Sequence, residues 1–154
     1  MRRYTAYLRA VLRHKWFVFL ECRKMKVPLW RAVIHDWDKF LPSHFIAYAR
    51  SFYDPVGQTR YSPDQAFNYA WNRHQKINRH HWQHNILIMD KGDVVLLPMS
   101  DVDRREMLAD WRGAGRAYGN PDTRSWYLQR REGFKKWIHQ DTLDWLDQQL
   151  YVHL

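Results

Sequence analysis

Between residues 4 and 25, Tyr7, Leu8, Val11, Leu12, Trp16, Phe19 and Leu20 recur at intervals of three and four, which is the period of an amphipathic helix and not of a strand. That spacing commits the N-terminal part of the chain to one long helix with His14 and Lys15 at its middle. Pro28 suits the first turn of a second helix, because its missing N–H is not needed there. In it Trp30, Val33, Ile34 and Trp37 form an apolar stripe before Pro42 stops or kinks the helix, so the adjacent pair His35 and Asp36 falls in its last turn. Lys39 then shares a helical face with His35.

The rest of the chain continues this pattern with one interruption. Ser43 predicts the N-cap of a third helix that ends in the turn Asp54-Pro55-Val56-Gly57. Ser62-Pro63-Asp64 starts a fourth from Gln65 to about His84, with Phe67, Ala70, Trp71 and His74 on one face. Two apolar runs, Ile86 to Met89 and Val94 to Leu97, flank Asp90-Lys91-Gly92-Asp93 and predict a β-hairpin. Ser100 and Asp103 make an approximate capping box for a helix that buries Val102, Met107 and Leu108 and presents Asp110. Two closing helices, Thr123 to Trp137 and Asp141 to Leu150, follow the turn at Asn120-Pro121-Asp122. The expectation is a single all-α domain over residues 1–154, a bundle of about six to seven helices with a small inserted hairpin at about 86–97.

Composition narrows the functional classes. At 154 residues, with 45% hydrophobic and 16% aromatic residues, the chain supports one packed core and is not disordered. A net charge of +9 favours anionic partners: a phosphorylated small molecule such as a nucleotide, a nucleic acid, or an acidic surface. Charge alone does not choose among them. Cys22 is the only cysteine, so no intramolecular disulfide forms; with Phe19, Leu20 and Met25 around it, it reads as a buried thiol. No apolar run approaches the roughly 20 residues that span a bilayer, and no signal-peptide pattern opens the chain, so the expected location is the cytoplasm, with no membrane partner.

The chemistry-bearing residues are His14, the pair His35-Asp36, then His74, His80 and His81, and Asp110. Each sits among large apolar neighbours, such as Ile34, Trp71, Trp82 and Trp111, and a polar group in such a setting needs a partner. A metal ion is one good partner, because imidazoles and carboxylates suit one or two divalent ions of the Mn, Fe, Co, Ni or Zn type. Any single histidine is more often a hydrogen-bonded core or surface group, and His44, His84, His139 and His153 read that way. Which of His80 and His81 faces an ion stays open.

That order of residues, a histidine on the first helix, a His-Asp pair, further histidines, then an aspartate on a late helix, resembles the HD superfamily of metal-dependent phosphohydrolases over roughly residues 10–115. The resemblance implies an HD-like helical bundle in which His14, His35, Asp36 and Asp110 hold a metal, with Asp36 bridging. It further implies that His74, His80 and His81 serve additional ions and that Lys39 holds substrate phosphate. A second resemblance, closer in residues, joins Leu12 to Phe40, Ala70 to His74 and Asn78 to Trp82 with small bacterial and phage proteins of no known activity. The inserted hairpin and the absence of a second His-Asp pair depart from the superfamily pattern.

The resulting expectation is hydrolysis of a phosphate ester or anhydride, most naturally in a nucleotide, through metal-activated water, with Asp36, Lys39 and Asp38 as catalytic candidates. Asp38 or an unliganded histidine is the general-acid candidate, and Arg73, Arg112 and Arg116 join Lys39 as phosphate-binding candidates because a guanidinium grips phosphate bidentately. Trp126 and Tyr127 either stack on a base or pack in the core. Two alternatives belong to other classes: an HD-type di-iron oxygenase, and a basic nucleic-acid-binding protein without catalysis.

Overall fold

In the computed structural model, which describes residues 2–151, the chain begins with the long helix α1 (Arg2–Lys24) and continues through α2 (Leu29–Ile34), α3 (Pro42–Phe52) and α4 (Gln65–Ile77). After the hairpin of β1 (Ile86–Ile88) and β2 (Val94–Leu96) come α5 (Asp101–Tyr118), α6 (Thr123–Phe134) and α7 (Gln140–Tyr151). The hairpin is antiparallel with Ile86 opposite Leu96, and Gly92 adopts φ +89°, the left-handed turn conformation that glycine enters without strain. The all-α bundle with an inserted hairpin read from the sequence is therefore the observed architecture. Helix starts follow local chemistry: the side chains of Asp64, Ser100 and Asp122 accept from the backbone N–H of Phe67, Asp103 and Ser125. Among the described residues no helix is long and apolar enough to cross a membrane.

The core has three parts. Tyr7, Val11, Tyr48, Phe67 and Ala70 pack α1 against α3 and α4; Val18, Cys22, Val27, Ala32 and Ala109 pack α1 against α2 and α5. Met107, Leu108, Tyr127 and Leu146 join α5 to α6 and α7. Full burial of each large side chain contributes about 1.5–3 kcal/mol before entropy is counted. Trp126 and Tyr127 belong to this last cluster, Tyr127 donating to Asp147, so their aromatic rings serve packing. Cys22 is fully buried, as its neighbours suggested, and burial pushes its thiol up to about 12.

Helices α1 and α5 run antiparallel in close contact: Arg116 lies over Phe17, Gly113 meets Val18, and Arg105 donates to the Met25 carbonyl. A Cβ on Gly113 would stand 2.6 Å from both Cγ2 and the backbone nitrogen of Val18, so only glycine permits this crossing. His14 lies one turn before Val18 and Asp110 one turn before Gly113, so the close approach also sets the spacing of two residues that the sequence marked as ligands.

Several boundaries and faces differ from expectation. The face of α1 that is buried carries Tyr7, Val11, His14, Val18, Glu21 and Cys22, whereas Leu8, Leu12 and Trp16 are exposed. In α2 only Ala32 is buried; Trp30, Val33 and Ile34 of that helix and Trp37 beyond it are exposed. The buried polar residues dictate these rotations, since His14, His35 and Asp36 exchange contacts that solvent would otherwise replace. Helix α2 stops at Ile34, with His35 and Asp36 beyond it, and a 3-10 turn at Trp37–Phe40 replaces its expected continuation to Pro42. Helix α4 likewise ends at Ile77, leaving His80 and His81 in a loop before the 3-10 turn Trp82–Asn85, and α6 stops three residues short of Trp137.

Candidate metal centre

Asp36 sits at the middle of the centre. It is a non-glycine residue at φ 55°, ψ 28°, a left-handed conformation that costs energy and persists only where the surroundings enforce it. The chain must reverse there, because side chains of adjacent residues on one helix point about 100° apart, and this turn lets His35 and Asp36 converge. Lys15 holds the preceding turn by donating from Nζ to the carbonyls of Val33 and His35.

Two ligand sets share that carboxylate. Oδ2 of Asp36 lies 3.3 Å from Nε2 of His14 and 3.4 Å from Nε2 of His35, and Oδ1 of Asp110 lies 3.2 and 3.4 Å from the same nitrogens. Oδ1 of Asp36 lies 3.4 Å from Nε2 of His74 and 3.3 Å from Nε2 of His80, while Nε2 of His81 is 2.9 Å from Nε2 of His74. Ligand atoms held about 2.0–2.2 Å from one ion stand roughly 3.0–3.4 Å from each other, which is the spacing seen here. Nε2 of His14, His35 and His80, Oδ1 of Asp36 and Oδ1 of Asp110 are buried and form no hydrogen bond of proper geometry. Orphaned donors and acceptors of this kind are rare inside proteins, and here they converge on two points. The buried His and Asp clusters could therefore hold a metal ion.

For three of the imidazoles, His35, His74 and His80, the side facing away from these points is fixed by a carboxylate. Nδ1 of His35 bonds Oε1 of Glu106 at 3.0 Å, Nδ1 of His80 approaches the same oxygen at 3.4 Å, and Nδ1 of His74 bonds Oδ2 of Asp38 at 2.7 Å. Placing the proton on Nδ1 leaves the Nε2 lone pair of these three rings aimed inward, the tautomer a metal requires. Glu106 is held in turn by Arg31 Nε at 2.6 Å, and Asp38 by Asn78 Nδ2 at 2.9 Å. Burial opposes ionisation of Asp36 and Asp110, but His35, His14 and, for Asp36, Lys39 outweigh it and hold both carboxyls well below their usual range. Burial together with His80 and His74 keeps the His81 imidazole well below its ordinary value. The centre thus offers ionised carboxylates, the form a cation binds. Loss of the Glu106 carboxylate in Glu106→Ala should weaken metal binding about 10–100-fold, measured by competition with a chromogenic chelator; affinity equal to the native protein would remove Glu106 from this role.

Every ligand candidate read from the sequence, His14, His35, Asp36, His74, His80, His81 and Asp110, is brought together, and His80 and His81 both stand in the second set. Glu106 was not anticipated. Its signal was the spacing of Asp103, Glu106 and Asp110, which places three acids on one face of α5. Lys39 is also at the centre, but beside Asp36, at 2.6 Å from Oδ2, because the 3-10 turn shifts it off the face of His35. Burial would lower the Lys39 ammonium, yet Asp36 and Asp110 hold it well above its ordinary value. Its side chain keeps 16% exposure and lines a cleft of about 700 Å³.

The remaining substrate and acid candidates are placed elsewhere. Asp38 is fully buried with both oxygens engaged by His74 and Asn78, which suits orienting a ligand and not delivering a proton to substrate. Arg116 pairs with Glu21 at 2.6 Å and Arg112 donates to Met25 Sδ, on the flank of α5 turned away from Asp110. Arg73 is exposed on α4 near His44. Of the histidines set aside, His44 is buried 3.6 Å from Asp38, His84 bonds the Lys76 carbonyl, and His139 accepts from the Asp141 N–H. His153 lies outside the described residues.

A family profile matches residues 3–151, nearly the whole of the described chain. The chain belongs to DUF5662, a family of unknown function. No curated protein and no solved structure matches it. Membership in this family assigns no activity, so the reading of function rests on the centre and on the cleft beside it.

Proposed function

We propose that this protein is a metal-dependent phosphohydrolase acting on a phosphate ester or anhydride, with two divalent ions held by the sets that meet at Asp36. The observation that carries the proposal is the shared carboxylate: Oδ2 faces His14, His35 and Asp110, Oδ1 faces His74 and His80, and Lys39 Nζ lies beside the same residue at the mouth of the cleft. The order of these residues along the chain, which resembles the HD superfamily, supports it further.

Divalent ions in these positions would acidify water near neutral pH and draw charge from phosphoryl oxygens. The chain's own groups do the rest. Lys39 is the cation that can reach a substrate phosphate from the cleft, and its pairing with Asp36 keeps the ammonium protonated and aimed. Glu106 and Asp38 hold the imidazoles so that the centre needs no rearrangement when charge develops. Tyr118 stacks on His14 and Trp71 on His74, covering the rings from the cleft side and limiting water.

The test is phosphate release from a panel of phosphomonoesters, nucleotides and cyclic dinucleotides by protein loaded with Mn, Fe, Co, Ni or Zn. Turnover is expected with at least one metal, and Lys39→Met should lower kcat/KM by roughly 10²–10³-fold, the usual cost of losing one group that stabilises transition-state charge, with metal content retained. Confirmed metal binding without turnover of any compound would overturn the hydrolytic reading. Dioxygen consumption by an iron-loaded, coloured protein would point to oxidation at the same centre.

A further inference from the structure

The cleft beside Lys39 has a chemistry of its own. Its volume of about 700 Å³ suits one small molecule, and among the described residues Lys39 is the single charged one in its lining. The walls include the rings of Tyr7, Tyr48, Phe67, Trp71 and Tyr118. They are continuous with the metal centre on both sides: Trp71 stacks on His74 with ring centres 5.5 Å apart, and Tyr118 on His14 at 6.1 Å. Tyr7 and Tyr48 lie nearly parallel, 13° apart, and both phenols feel the charges of Lys39 and Asp36.

The hydroxyls of Tyr7 and Tyr48 are buried and have no hydrogen-bond partner, although their residues are only 5% and 3% exposed. A buried hydroxyl left unsatisfied is costly, and two on one wall that Lys39 also lines call for an acceptor supplied from outside the chain. Burial raises both phenols far above their ordinary value, so they stay protonated donors.

We propose that the cleft binds the organic part of the substrate, that this part is a flat aromatic ring bearing no anionic group and joined to a single phosphoryl group, and that the Tyr7 and Tyr48 hydroxyls determine specificity by donating to that phosphoryl group beside Lys39. The proposal rests on the phosphohydrolase reading and narrows its substrate class. The ring faces of the walls favour stacking over hydrogen-bond readout. An anionic organic group would meet the negative faces of the aromatic walls, and further phosphoryl groups extending into the cleft would find there, among the described residues of the lining, Lys39 as the one cation.

Calorimetric titration of the metal-loaded protein with benzylphosphonate and methylphosphonate, both inert to hydrolysis at carbon, tests binding apart from turnover. Benzylphosphonate should bind at least about tenfold more tightly, the effect of one stacked ring. Tyr7→Phe combined with Tyr48→Phe should weaken both compounds by roughly tenfold, the effect of lost hydrogen bonds to a charged group, with metal content unchanged. Tyr118→Ala, a change at an exposed ring, should weaken benzylphosphonate more than methylphosphonate. Equal affinity for the two phosphonates, no measurable binding of either, or indifference to the paired hydroxyl deletion overturns the proposal. Turnover of phenyl phosphate and glycerol phosphate is measured in parallel. Ring-selective binding with no turnover of either defeats the hydrolytic reading and leaves the cleft assignment standing; equal turnover of both defeats the cleft assignment and leaves hydrolysis standing.

Discussion

Asp36→Asn is expected to strip metal from both halves of the centre, whereas His14→Ala should empty only one. The asymmetry follows from the geometry: each oxygen of Asp36 faces a different set, while the carboxylate oxygens that His14 approaches among the described residues are Asp36 Oδ2 and Asp110 Oδ1. The His14 variant keeps Asp36, His74, His80 and His81 together, a complete group of ligands. An asparagine preserves the volume and the left-handed backbone, to which Asn is better suited than most residues, but it replaces a charged bridging oxygen with a neutral amide nitrogen. Metal bound at a thousandfold excess over its Kd adds about 4 kcal/mol to the folded state, equivalent to roughly 10 °C in Tm for a chain of this size. Elemental analysis and thermal melts with and without chelator read both quantities. Native metal content in Asp36→Asn, or complete metal loss in His14→Ala, would contradict a shared-carboxylate centre.

Gly113→Ala should destabilise the protein by about 1–3 kcal/mol, the range for forcing a methyl group into a packed contact, and should weaken metal binding at the same time. The new Cβ would meet the backbone of Val18, which cannot swing aside as the end of a flexible side chain can. Relief requires α1 and α5 to separate, and His14 and Asp110, one turn from the collision on each helix, then lose their 3.2 Å approach. Gly133→Ala is the control, because no atom lies within 4 Å of the position and alanine favours a helix. Urea denaturation and a metal titration on both variants check the pair; a Gly113→Ala protein as stable as the native chain would show that the crossing has slack.

The hydroxyl and ring variants of the cleft and the Glu106 and Lys39 variants address separate layers of the same site. In the proposed function Glu106 would act on metal affinity through His35 and His80, Lys39 on turnover, Tyr7 and Tyr48 on the bound phosphoryl group, and Tyr118 on the organic ring. A defect in one readout without the others therefore identifies the layer.

Helix number and order, the hairpin, and the inventory of ligands were legible in the chain because each depends on local periodicity or on residue type: the apolar period of α4, the caps at Asp64 and Ser100, the glycine turn at Gly92, and histidines set beside tryptophans. What the sequence misjudged were orientations. Leu8, Leu12 and Trp16 have the spacing of a core stripe and yet are exposed, since the face bearing His14 and Glu21 turns inward to meet α5. The break at Asp36 was equally hidden, because no glycine or proline marks it and only contacts from His14, Lys39, His74 and His80 make a left-handed aspartate worth its strain. Asp38, Arg112 and Arg116 lie close in sequence to ligands, but closeness along the chain does not fix direction, and each points away from the cleft. Sequence by itself determined that this is an all-α chain, and it singled out five histidines and two aspartates as candidate metal ligands. Only the tertiary structure decided that one carboxylate divides them into two sets, that Glu106 and Asp38 stand behind the imidazoles, and that an aromatic cleft opens on Lys39. The physical reason is that periodicity specifies which residues a helix can bury, whereas convergence to about 3 Å depends on how closely helices pack, and that was settled at the contact of Gly113 with Val18.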